Sequence, residues 1–136
     1  MESRAKILVI DDEPDLVDML RMALEKASYQ VIAAYDGREG VEKAKAEKPQ
    51  AIVLDIMMPE KDGFVACQEL KSDAATADIP ILILTAVGSR FADTRYAKSM
   101  GLDLEADDYI DKPVDPNELV KRVEKLLARA SGPNRS

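Results

Sequence analysis

A chain of 136 residues, 46% of them apolar, is long enough for one domain with a full core and too short for two. Its net charge of −7 argues against gripping nucleic acid by itself, because phosphate backbones demand clustered Lys and Arg, and suits holding a cation or meeting a basic partner. The lone cysteine, Cys67, excludes an internal disulfide and fits a reduced, cytoplasmic setting, and the absence of histidine excludes any imidazole base, nucleophile or metal ligand.

The first apolar run, Ile7-Leu8-Val9-Ile10, is too short for a signal peptide core or a membrane span and reads as a strand buried on both faces. Pro14 then opens a helix, with Asp12 or Glu13 as cap and Leu16, Leu20, Ala23, Leu24 and Ala27 at helical spacing. A weaker strand, Val31 to Ala34, leads to Asp36-Gly37-Arg38-Glu39, which resembles a capping box with Asp in place of Ser or Thr. Ala51-Ile52-Val53-Leu54 is the third strand. The helix after it, Asp62 to about Ser72, is expected to bury Phe64, Cys67 and Leu70. Ile81-Leu82-Ile83-Leu84 is the fourth strand, and the least periodic helix falls near Ser89 to Met100. A brief fifth strand, Asp108-Tyr109-Ile110, precedes a second capping box, Asp115-Pro116-Asn117-Glu118. The last helix then carries Leu119, Val123, Leu126 and Leu127 on one face. Residues 1–130 are expected to form the domain and 131–136 a flexible tail.

Five βα repeats imply an α/β fold, a parallel sheet with helices on both faces. In such sheets the loops at the carboxyl ends of the strands form the ligand crevice. Asp11 and Asp12 follow the first strand, Asp55 the third, Thr85 the fourth, and Lys112-Pro113 the fifth. Taken singly, each has an ordinary explanation. Asp11 and Asp12 could cap a helix, Asp55 could be a solvated loop acid, Thr85 could bond local backbone, Lys112 could sit on the surface, and Tyr109 could be core. Together they place three carboxylates, a hydroxyl and an ammonium at one sheet edge. Three acids in one crevice repel one another unless a cation neutralises them, and oxygen-only donors favour a hard ion such as Mg²⁺. Magnesium favours phosphate oxygens, a lysine and a hydroxyl can take the remaining charge of a phosphoryl group, and a carboxylate can accept that group.

With those residues in place, the sequence resembles the receiver domain of bacterial two-component response regulators. The resemblance is carried by Ile7-Leu8-Val9-Ile10-Asp11-Asp12-Glu13-Pro14, Val53-Leu54-Asp55-Ile56-Met57-Met58-Pro59, Asp62-Gly63, Leu84-Thr85-Ala86 and Ala106-Asp107-Asp108-Tyr109-Ile110-Asp111-Lys112-Pro113. It spans about residues 5 to 128, with each motif after the correct strand. It implies a five-stranded sheet of order 2-1-3-4-5 with five helices on both faces. It also implies that Asp55 is the phospho-acceptor, and that Asp11, Asp12, Asp55 and the backbone carbonyl of Met57 hold Mg²⁺. Lys112 would pair with the phosphoryl group, Thr85 would hydrogen-bond it, and Tyr109 would swing inward as Thr85 moves. The Lys112–Pro113 peptide is expected to be cis.

The implied function is a phosphorylation-dependent switch rather than a turnover enzyme. A phosphohistidine on a sensor histidine kinase or phosphotransfer protein would be the donor. The surface of the fourth helix, fifth strand and fifth helix would control a downstream protein, with a phosphorylation-dependent dimer compatible with this. No direct nucleic-acid or membrane contact is expected; with no output domain after residue 130, the chain reads either as a stand-alone regulator that docks to another protein or as a piece cut from a longer one. Two features depart from the common pattern. Leu102-Asp103-Leu104-Glu105 lengthens the connection into the fifth strand, and Met57, two residues after Asp55, cannot assist water as a polar side chain could. Two other readings compete. A haloacid-dehalogenase-type phosphohydrolase expects Asp-x-Asp-x-Thr or Val after its first strand, where this chain has Glu13 and Asp15. An unphosphorylated docking receiver usually lacks one of the key acids, the Thr or the Lys, and here all are present.

Overall fold

The computed structural model describes residues 5–56, 62–85 and 107–130. In chain order these form β1 (Lys6–Ile10), α1 (Pro14–Lys26), β2 (Gln30–Ala34), α2 (Gly37–Glu47), β3 (Ala51–Asp55), α3 (Asp62–Ser72), β4 (Ile81–Thr85), β5 (Asp108–Asp111) and α4 (Pro116–Ala130). All strands are parallel, in the order β2-β1-β3-β4-β5. Five strands and their order match the expectation. The helix expected near 89–100, the 102–105 insertion and the 131–136 tail lie outside the described residues, so α4 is the helix read as the fifth from the sequence.

The Ile- and Val-rich runs are buried because both faces of the sheet are covered. Ile7 and Val9 join the core formed with Val17, Leu20 and Leu24 of α1 and Leu119, Val123 and Leu126 of α4. Leu8 and Ile10 point the opposite way, into the core formed with Val41 and Ala44 of α2 and Phe64, Cys67 and Leu70 of α3. The period-2 alternation of a strand thus feeds two cores at once. Removing a side chain such as Leu20 from so dry a place costs about 2–5 kcal/mol.

The helix starts differ from expectation in informative ways. Glu13 is the N-cap of α1 but its side chain makes no cap bond, and Pro14 follows it in the first turn, where a missing N–H is tolerated. Asp36 caps α2 by accepting from Glu39 N at 2.8 Å, while Glu39 reaches back one residue further than a standard box, to Tyr35 N. At α4 only half of the box forms. Asp115 accepts from Asn117 N at 3.0 Å, but Glu118 turns instead to Arg122. The buried face of α1 is also rotated. Val17, Leu20 and Leu24 are buried, whereas Ala23 and Ala27 flank an apolar groove between α1 and α4.

Candidate functional site

The strand order brings the ends of β1, β3 and β5 to one edge. Asp11, directly after β1, is fully buried; Asp12 is exposed; and Asp55, the last residue of β3, is 1% exposed. Carboxylate oxygens of these three residues all lie within 4.8 Å of one another. β1 and β3 are paired with Ile10 beside Leu54, which places the acids side by side although they are far apart in sequence. Lys112, following β5, donates to Asp55 Oδ2 at 3.0 Å. The Lys112–Pro113 peptide is cis, as expected.

One oxygen of Asp11 is engaged: Oδ1 accepts from Glu13 N at 3.0 Å. The other, Oδ2, is buried without a hydrogen-bond partner. A buried polar atom left so is costly, and its absence of a partner in a cluster of acids suits a cation. Burial pushes the Asp11 carboxyl up to about 7; the Glu13 N–H opposes this, and the neighbouring Asp55 charge adds to it. Burial works against the Lys112 ammonium, but Asp55, Asp11 and Glu13 outweigh it and hold its pKa above the ordinary lysine value. With oxygen as the donor atom throughout and one acid exposed to admit an ion, the set fits a hard divalent cation.

Thr85 ends β4, the neighbour of β3, so its backbone stands at the same edge. Its side chain and the carbonyl of Met57 lie outside what is described. Tyr109 is half-buried on β5 and packs against the core beneath α2 and α3; burial, and Cys67 nearby, raise its phenol pKa.

Sequence reasoning missed several residues that brace the opposite, amino-terminal ends of β4 and β5. Arg122 of α4 donates to Asp108 Oδ1 at 2.8 Å, to the carbonyl of Tyr109 at 2.9 Å and to Glu118 at 2.8 Å, tying the helix to β5. Only the Glu118–Arg122 spacing was available as a local signal. Lys71 of α3 donates to the carbonyls of Ala77 and Ile79 and pairs with Asp107, which itself accepts from Ile81 N.

The family model for the response regulator receiver domain matches residues 7–124. The chain belongs to that family. Among curated relatives, this receiver domain is 45% identical over 125 residues to the alkaline phosphatase synthesis transcriptional regulatory protein PhoP of Bacillus subtilis, covering 92% of this chain and 49% of that one. It is 46% identical over 124 residues to the DNA-binding dual master transcriptional regulator RpaA of Synechocystis, covering 91% and 49%. It thus spans about half the length of these relatives. Among solved structures it resembles the chemotaxis protein CheY4 of Vibrio cholerae, with TM-score 0.78, 30% identity, and coverage of 91% of this chain and 99% of that one. It also resembles the signal receiver domain of a histidine kinase from Syntrophus aciditrophicus, with TM-score 0.79, 33% identity, and coverage of 97% and 94%. Its role is that of a receiver domain in phosphorylation-dependent signalling. No helix among the described residues is long and apolar enough to cross a membrane.

Proposed function

We propose that Asp55 is the phospho-acceptor of this receiver domain and that Asp11, Asp12 and Asp55 hold Mg²⁺ for the transfer, with Met57 offering its backbone carbonyl. The observation that carries this is the clustering of three carboxylates within 4.8 Å, two of them buried, with Lys112 on Asp55. Bound Mg²⁺ would supply positive charge that offsets repulsion between the acids and the incoming phosphoryl oxygens. An oxygen of Asp55 attacks the phosphorus of a phosphohistidine. The new P–O bond replaces the P–N bond, and the leaving imidazole nitrogen keeps the electron pair. Lys112 then turns from Asp55 to the phosphoryl oxygens, a short exchange of partners for an ammonium already in the site. Thr85 and Tyr109 would pass the change to the β5 and α4 surface, including the segment between β4 and β5, by shifting an existing equilibrium.

Domain limits of 1–130 and a cytoplasmic location belong to the same reading, as does action through a downstream protein without direct nucleic-acid contact by this domain. Its net charge of −7 supports that last point. Borohydride trapping tests the site assignment. Reduction of the phosphorylated protein should convert Asp55, and no other acid, to homoserine in a peptide map. Homoserine at Asp11 or Asp12 instead would overturn it.

A further inference from the structure

We infer that Gly63 is a positioning residue for the acceptor, setting where Asp55 stands by letting the first turn of α3 press directly on the main chain of β3. The inference rests on Asp55 being the phospho-acceptor and names a residue that sets that site's geometry. A Cβ at Gly63 would lie 2.6 Å from the carbonyl oxygen of Asp55, 2.6 Å from Cα of Ile56 and 2.9 Å from its carbonyl carbon. All three are backbone atoms, so no side chain can rotate away to make room.

The opposite side offers no slack. Asp55 pairs in register with Leu84 of β4, and Ile56 N donates to the carbonyl of Leu84 at 3.1 Å. On its other edge β3 is paired to β1, with Leu54 beside Ile10. The Asp55–Ile56 peptide is therefore held between a sheet that cannot yield and a helix that touches it. The helix is equally fixed, because Phe64, Cys67 and Leu70 seat α3 in the core. A methyl group at position 63 must move either the first turn of α3 or the peptide that carries the acceptor. Contrast Gly40 of α2, where the three nearest atoms a Cβ would meet belong to the buried Ile10 side chain and none to main chain.

Displacement of a reacting group by a fraction of an ångström is expensive for transfer and for cation binding, since both depend on where the Asp55 oxygens stand. The test compares the parent, Gly63→Ala and Leu70→Ala. The last loses packing from the same helix and the same core but leaves the Asp55–Ile56 contact alone. Each is measured below its melting temperature for Mg²⁺ affinity by calorimetry and for the rate of phosphorylation by acetyl phosphate. Gly63→Ala is expected to bind Mg²⁺ several-fold more weakly and to be phosphorylated about tenfold to a hundredfold more slowly. Leu70→Ala should keep both values near the parent's despite a lower melting temperature.

Parental Mg²⁺ affinity and rate in folded Gly63→Ala would overturn the proposal, as would equal losses in Leu70→Ala. If Gly63→Ala does not fold in buffer, the measurements are made in trimethylamine N-oxide, which favours the compact state. Failure to fold even there would assign Gly63 to the fold alone and also overturn the proposal. A parent that binds Mg²⁺ but takes no phosphoryl group on Asp55 would instead refute the acceptor reading, and the inference with it.

Discussion

Lys112 Nζ stands 3.0 Å from Asp55 Oδ2 across 57 residues of sequence, an ion pair in which the carboxylate side chain is 2% exposed and the lysine 19%. Such a pair makes opposite demands on the two events proposed for the site. Removing Lys112 leaves the acids with less positive charge, so Lys112→Met is predicted to bind Mg²⁺ more tightly than the parent. The same variant should accept a phosphoryl group about a hundredfold more slowly, because the ammonium that receives the phosphoryl oxygens is gone. Calorimetry and phosphorylation kinetics on one preparation check both; a parallel change in the two would contradict the assigned role.

The buried, unpartnered Oδ2 of Asp11 makes the metal-free site a source of instability. Asp11→Asn removes a buried charge facing Asp55, so without Mg²⁺ the variant should be more stable than the parent by about 1–2 kcal/mol. It should also lose most of the stabilisation that Mg²⁺ gives the parent through binding to the folded state. Thermal melts with Mg²⁺ and with chelator measure both effects.

The same residue predicts a pH dependence. Folding raises the Asp11 carboxyl from 3.8 to about 7, chiefly through burial. Between those values the folded chain holds a proton that the unfolded chain has released. The contribution to metal-free stability is therefore full below the lower value and is lost as pH rises through the upper one. Mg²⁺ competes with that proton, so its affinity should weaken as pH falls below about 7. Denaturant titrations and Mg²⁺ titrations across this range test the sign, and Asp11→Asn should flatten both profiles.

Arg122 holds β5 to α4 away from the acids, at the sheet edge where a phosphorylation signal would emerge. Arg122→Ala should cost about 1 kcal/mol, as expected for half-exposed ion pairs, and speed amide exchange in Asp108–Asp111. Phosphorylation at Asp55 should stay within about twofold of the parent, since the guanidinium does not reach the site. Arg122→Lys should restore little, because one ammonium cannot bond Asp108, Glu118 and the Tyr109 carbonyl in the same fork.

The parallel sheet and the convergence of Asp11, Asp12, Asp55 and Lys112 were legible in the residues, and the strand order came with the resemblance to receiver domains. Continuous Ile- and Val-rich runs leave few alternatives to a buried parallel sheet, whose crossovers put every strand end on one edge. What escaped the reading were the contacts that depend on three-dimensional approach. Arg122 and Lys71 bond main-chain carbonyls and acids from other elements, which no periodicity reports. Gly63 entered only as part of the Asp62-Gly63 motif, and its distance from the Asp55 carbonyl is what shows that side-chain space is missing there. Val17 was overlooked because helical spacing defines a stripe but not how far the helix rolls on the sheet.

The most direct test of Asp55 as a metal-dependent acceptor is intact-mass spectrometry after incubation with acetyl phosphate, with and without Mg²⁺, on the parent and Asp55→Asn. The account predicts a single phosphoryl adduct on the parent that requires Mg²⁺ and is absent from the variant. An adduct that persists in Asp55→Asn, or none on the parent under any condition, would contradict it.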